Sequence, residues 1–287
     1  MQPVLRESYR SLQMRAREQG IRPLTQKASV LRGLMGEPEP VPCKRVRSGA
    51  GCSASGGAYE KTINAVVGSL AFQHHPFVMA PSAGSSHGVD ICGQCDAMQD
   101  NPLCIEAKST GANSQNPDWG QICVKRLNGR WAVPDTSRSP EACKAVLASA
   151  FGERVLWGGE DPLASQRTIE QLEIERASGK WRDIYITDDV DPDSIRKFYR
   201  GKGCEYIQIK GKGLYSLGTD SWGLGVPVFD CPCRVRVRVK THKSCTAQGY
   251  ASLSVTAALQ PVGLKHLNNS PCTLDGAGCV PNVFTPI

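Results

Sequence analysis

Residues 88–109, GVDICGQCDAMQDNPLCIEAKS, hold two short apolar runs separated by a polar, turn-forming segment. No other stretch narrows the fold as much. In a β-strand, residues i and i+2 point to the same face. Leu103, Ile105 and Ala107 are therefore predicted to enter a core, with Glu106 and Lys108 together on the opposite face. If the two runs pair as a hairpin around DAMQDNP, Asp90 comes to lie beside Glu106. The run that carries Glu106 reads as a buried strand, where an unpaired charge is costly. Two hard oxygen ligands with an ammonium beside them suit a magnesium ion that holds a phosphate and a water. The plain alternative is a turn-capping aspartate and a surface Glu–Lys pair, worth well under about 1 kcal/mol.

The order of these residues resembles the PD-(D/E)XK nucleases, the restriction-endonuclease-like superfamily. Glu106-Ala107-Lys108 fits the E-x-K triplet in full. Asp90 stands at the first acid, with Val89 where that family often has proline. Glu60, in GGAYEKTINAVVGSLAF, stands where members often carry a glutamate on an upstream helix. The resemblance covers about residues 58–125. It implies an α/β fold with a restriction-endonuclease-like core, a mixed central sheet flanked by helices. It implies magnesium-dependent hydrolysis of phosphodiester bonds in DNA, with Asp90, Glu106 and the carbonyl of Ala107 holding the metal. Lys108 would orient or activate the attacking water, and Glu60 would complete the shell or position a second ion. Gln121 sits at the distance of a glutamine that some members place on a helix after the triplet. A restriction-like endonuclease is the first expectation. Junction-resolving or repair nucleases, and a non-catalytic DNA-binding protein on the same core, are its rivals.

Charge is unevenly spread. Residues 1–57 carry ten Lys/Arg against four Asp/Glu, residues 58–194 twelve against nineteen, and residues 195–243 eleven against three. An acidic middle holding the Asp90 and Glu106 carboxylates is thus flanked by two basic segments, which suits a polyanion. Three parts are expected: a basic N-terminal arm and linker over 1–57, a nuclease-like core over 58–194, and a basic, strand-rich DNA-binding part over 195–287. In CRVRVRVKTH, Arg234, Arg236, Arg238 and Lys240 fall on one strand face and Val235, Val237 and Val239 on the other. Four adjacent cations repel, and a phosphate backbone is one reason to gather them, because arginine forks match phosphate oxygens. The other is a charged edge strand that resists aggregation. Duplex DNA is the expected partner, and a homodimer is compatible with it.

Thirteen cysteines and no apolar leader at the N-terminus point to reduced thiols and an intracellular, cytoplasmic or nuclear, protein. No apolar run is long enough to span a membrane. Cys92 and Cys95 form a C-x-x-C, but strand alternation sends them to opposite faces, which does not favour a zinc site. The remaining elements follow from local pattern. GEPEPVP and SGAGCSASGG read as linker, and Ile63, Val66, Val67 and Leu70 give a helix over 58–72. Asn128-Gly129 predicts a type I′ hairpin, SPEACKAVLASAFG a helix, and Asp161-Pro162 the start of another that stops at Gly179. DDVDPDS leads into a helix at IRKFYR.

Overall fold

The computed structural model describes residues 50–81, 88–109, 116–151, 154–188, 190–246, 249–276 and 279–287, without the side chains of 50–55 and 243–245. The basic N-terminal arm lies outside the described residues. The fold is mixed α/β, with four α-helices and three sheets among the described residues. Its larger compact unit comprises Gly49–Pro162, Trp181–Lys240 and Ser254–Ile287. The second unit includes Leu163–Lys180 and Thr241–Leu253.

The larger unit opens with α1, Ala50–Gly68. Its buried residues Tyr59, Ile63 and Val67 recur every fourth position and so form one stripe. From Ala50 onward the Gly/Ser segment expected as a linker is instead the first part of this helix, and the helix ends at Gly68, before Leu70. Small residues carry little intrinsic signal of their own, and packing of the following turns decides their state. Strand β1, Leu70–Phe72, pairs with β2, His75–Pro76, on one side and with the terminal strand β13, Phe284–Pro286, on the other.

The sheet that matters most has the order β10-β9-β5-β4-β3. Its strands are β3, Val78–Met79; β4, Ile91–Gln94; β5, Leu103–Lys108; β9, Tyr206–Ile209; and β10, Gly213–Ser216. The hairpin forms as expected, with Ile91 opposite Ile105 and Cys92 opposite Cys104. The other neighbour of β5 is β9, and that pairing is parallel. One face of this sheet sends Ile91, Leu103, Ile105, Ala107, Tyr206 and Leu214 into a core shared with Tyr59, Ile63 and Val67 of α1. The other face sends Ile207, Ile209 and Tyr215 into a second core.

That second core is closed by helices α2, Glu141–Phe151, and α4, Ser194–Gly201, and by a sheet of order β7-β6-β12-β11-β8. Its strands are β6, Trp119–Leu127; β7, Arg130–Ala132; β8, Ile184–Ile186; β11, Cys233–Cys245; and β12, Ala251–Pro261. The β6–β7 turn has Asn128 at φ 49° and Gly129 at φ 81°, the two positive values of the predicted type I′ turn. The expected boundary between 194 and 195 does not follow the packing, because β9 lies inside the same sheet as β5. Charge distribution records which surface is basic, whereas a domain is bounded by its core.

In the second unit, α3 spans Ile169–Ala177. It starts at Thr168, whose hydroxyl accepts from the Gln171 N–H while the Gln171 side chain accepts from the Thr168 N–H. This capping box outcompetes the expected start at Asp161-Pro162. Gly179, at φ 84°, follows the end as anticipated.

Candidate active site

The antiparallel ladder between β4 and β5 ends at the Ile91–Ile105 pair, and Asp90 is the next residue beyond it. There the Asp90 carboxylate replaces a backbone partner: the Ala107 N–H donates to its Oδ2 at 3.1 Å. Within a strand, a residue's N–H and C=O leave by the same edge. The Ala107 carbonyl is therefore on Asp90's side of β5. Glu106 points to the opposite sheet face from Ala107 and is 2 % exposed. Lys108, two residues on, follows Glu106 and forms an ion pair with its Oε1. The Lys108 ammonium also lies 4.0 Å from Asp90 Oδ2.

A second ammonium, not anticipated from the sequence, completes the cluster. Lys202 sits one turn beyond Phe198 and Tyr199 of α4, on their face of the helix. Its Nζ lies 2.6 Å from Glu106 Oε2 and 3.7 Å from Asp90 Oδ1. The Tyr199 ring backs both cations, with its centroid 5.0 Å from Lys108 Nζ and 5.7 Å from Lys202 Nζ. Two glycines allow α4 to come this close. A Cβ on Gly201 would stand 2.7 Å from Ala142 Cβ of α2. A Cβ on Gly120, which has φ 56°, would meet the Phe198 ring at 2.8 Å.

These groups line a cavity of about 730 Å³, together with Glu60, Gln121 and Cys143. Glu60 therefore lines the same cavity as Asp90, Glu106 and Lys108. It lies in the interior of α1. Gln121 reaches the cavity from strand β6 and not from a helix.

The electrostatics divide the two buried carboxylates. Burial, then the charge of Glu106, pushes the Asp90 carboxyl up to about 6, against the pull of Lys108 and Lys202. Burial would also raise Glu106, but Lys108 and Lys202 override it and hold Glu106 below the usual carboxylate range. Burial would lower Lys108, yet Glu106 overrides it and holds the ammonium well above the usual lysine range. Lys108 is thus a charged donor in this state.

Among the described residues, no three His, Cys, Asp or Glu side chains are grouped to hold a metal by themselves. The ligand set anticipated from the sequence requires two side chains and one carbonyl. The residues fit it: Asp90 and Glu106 are hard oxygen donors, and the Ala107 carbonyl leaves the strand on the Asp90 side. Burial is the main cause of the raised Asp90 carboxyl, and a bound cation would offset the cost of keeping its charge there.

The basic strand takes a different position. Val235, Val237 and Val239 are buried and Arg234, Arg236, Arg238 and Lys240 share the other face, but none of the four lines the cavity. Arg236 pairs with Asp183 and with Asp118 at 3.2 Å, and Arg238 reaches Asp118 at 3.3 Å. Arg234 stacks on Tyr185 at 4.1 Å and donates to Gln260 at 3.0 Å. Acidic partners that immediately precede β8 and β6 thus accompany the row, which the local pattern of one strand does not reveal. The described cysteines are free thiols. Cys92 lies 3.0 Å from Cys104, while Cys95 enters the core under α1. No helix among the described residues is long and apolar enough to cross a membrane. Comparison with protein-family models, with curated proteins and with solved structures gives no match.

Proposed function

We propose that this chain is a magnesium-dependent endonuclease of the restriction-endonuclease-like kind, hydrolysing phosphodiester bonds in DNA. The observation that carries the reading is the convergence of Glu60, Asp90, Glu106 and Lys108 on one cavity, at the point where a hairpin ladder gives way to the Asp90 carboxylate. A mixed sheet with α1 on one face and α4 on the other supports it as well.

Asp90, Glu106 and the Ala107 carbonyl would hold magnesium, which when bound supplies Lewis-acid stabilisation of a phosphoryl oxygen and a more acidic water. The protein's own groups do the rest. Glu106 fixes the Lys108 ammonium, and the ammonium donates to the attacking water or to a phosphate oxygen as negative charge develops. Because Lys108 is held protonated by Glu106, orienting the water suits it better than removing its proton. In the reaction the water oxygen bonds to phosphorus and one ester P–O bond breaks. The water gives up a proton and the leaving oxygen takes one up. Tyr199 and Phe198 shield one wall of the cavity from solvent, which strengthens these interactions.

Purified protein incubated with supercoiled plasmid tests the reading. Nicked or linear DNA is expected with Mg²⁺ and none with EDTA. Intact plasmid under both conditions, with Mn²⁺ also tried, contradicts it.

A further inference from the structure

Two features of the cavity are not used by the reading above. Lys202 brings a second buried ammonium to Glu106. Tyr199 brings a phenol that is 1 % exposed and whose hydroxyl donates to no group among the described residues. A buried polar group left unpaired costs about 1–3 kcal/mol, so the hydroxyl is a donor that finds no acceptor among the described residues and is available to a ligand. Both groups come from one element, the C-terminal turn of α4, and both lie in the wall of the cavity that holds Asp90 and Glu106.

Charge counting gives the acceptor its sign. Among the described residues of the cavity lining, the charges of Glu60, Asp90 and Glu106 equal in number those of Lys61, Lys108 and Lys202. A divalent cation held by Asp90 and Glu106 leaves two positive charges without a counterpart. A phosphodiester brings one negative charge, and a nucleophile deprotonated for attack brings the second. The excess matches the charge of the reacting group.

We propose that Lys202 and the Tyr199 hydroxyl are the phosphate-receiving groups of this site, and that Lys202 transfers from Glu106 to a phosphodiester oxygen when Glu106 engages a divalent cation. Cation and phosphodiester then bind with positive coupling, and by linkage the coupling is equal in both directions. The proposal rests on the metal-site reading. Lys108 is less suited to this exchange, because it leaves the same strand as Glu106 two residues away, whereas Lys202 approaches from a separate helix.

The test uses the full chain with calcium, which occupies oxygen sites while leaving most phosphodiester substrates uncleaved. Calcium affinity is read by calorimetry, and binding of a short fluorescein-labelled oligodeoxythymidylate by anisotropy. In the native protein calcium is expected to raise oligonucleotide affinity by about tenfold or more. Lys202→Met is expected to bind calcium several-fold more tightly, since a competing ammonium is gone, and to lose most of the coupling. Lys202→Arg should restore part of it. Tyr199→Phe is expected to leave calcium affinity intact, to keep or raise thermal stability, and to weaken oligonucleotide binding in calcium by about fivefold, the worth of one hydrogen bond. A Lys202→Met protein with native calcium affinity and native coupling overturns the proposal while leaving the metal site standing. Calcium binding that survives Asp90→Asn and Glu106→Gln overturns the metal-site reading and the proposal with it.

Discussion

Asp90 carries the tension of this site in a single side chain. Its folded carboxyl titrates near 6 instead of the ordinary 3.8. The folded state therefore holds a proton that the unfolded chain has released, across that interval. Stability is greatest below the unfolded value and falls as pH rises through the folded one. Above pH 6 the ionised Asp90 weakens the metal-free fold. Asp90→Asn, which keeps an acceptor for the Ala107 N–H, is expected to raise the stability of the metal-free protein at pH 7 by roughly 1–3 kcal/mol. Chemical denaturation at pH 7 and again near pH 4, where the gain should shrink, checks both size and sign. Magnesium affinity should follow the opposite course, weakening below pH 6 as Asp90 becomes protonated. Lys108→Ala is expected to reduce turnover strongly and to leave DNA binding largely intact, because one phosphate contact is a small part of an electrostatic footprint. Equal losses of binding and turnover would make Lys108 a docking residue instead.

At the scale of elements, the hairpin was legible and the helix that completes the site was not. Glu106 and Lys108 share a face because of a period of two within six residues, a property of the chain alone. Asp90 needs only a turn to reach them. Lys202 stands 96 residues from Glu106 and arrives through the parallel pairing of β5 with β9 and the packing of α4 on α2. The available signal was the spacing of Phe198, Tyr199 and Lys202 on one amphipathic turn. Nothing local said which sheet that turn would meet. The start of α1 was missed for a related reason, since its Gly/Ser residues have weak propensities. The position of α4 is testable through Gly201. Gly201→Ala forces a methyl against Ala142, and overpacking of this kind costs about 1–3 kcal/mol. If Lys202 matters, the variant should also lose activity beyond what its residual folded fraction explains. A folded, fully active Gly201→Ala protein would show that α4 can shift without affecting the site.

At the scale of the molecule, the division of charge anticipated from composition is real, but the chain does not fold along it. The acidic segment supplies β4, β5 and α1, the basic segment supplies β9 and α4, and the two interleave in a single sheet. The row on β11 belongs to this larger picture. Arg236 is half-buried between Asp118 and Asp183, so Arg236→Gln should lower stability by about 1 kcal/mol or more by removing the fork from Asp183 and leaving Asp118 to Arg238 and Gln260. A change in the salt dependence of DNA binding by about one unit, with stability unaffected, would instead assign Arg236 to phosphate contact. The central claim is that Asp90 is kept, at a cost to the fold, for metal-dependent hydrolysis. The most direct measurement is cleavage of supercoiled plasmid in Mg²⁺ by the native protein and by Asp90→Asn at equal folded concentration. The account predicts nicking by the native chain and its loss, by a factor of at least about one hundred, in a variant that unfolds at higher denaturant. An Asp90→Asn protein that cleaves at the native rate would contradict it.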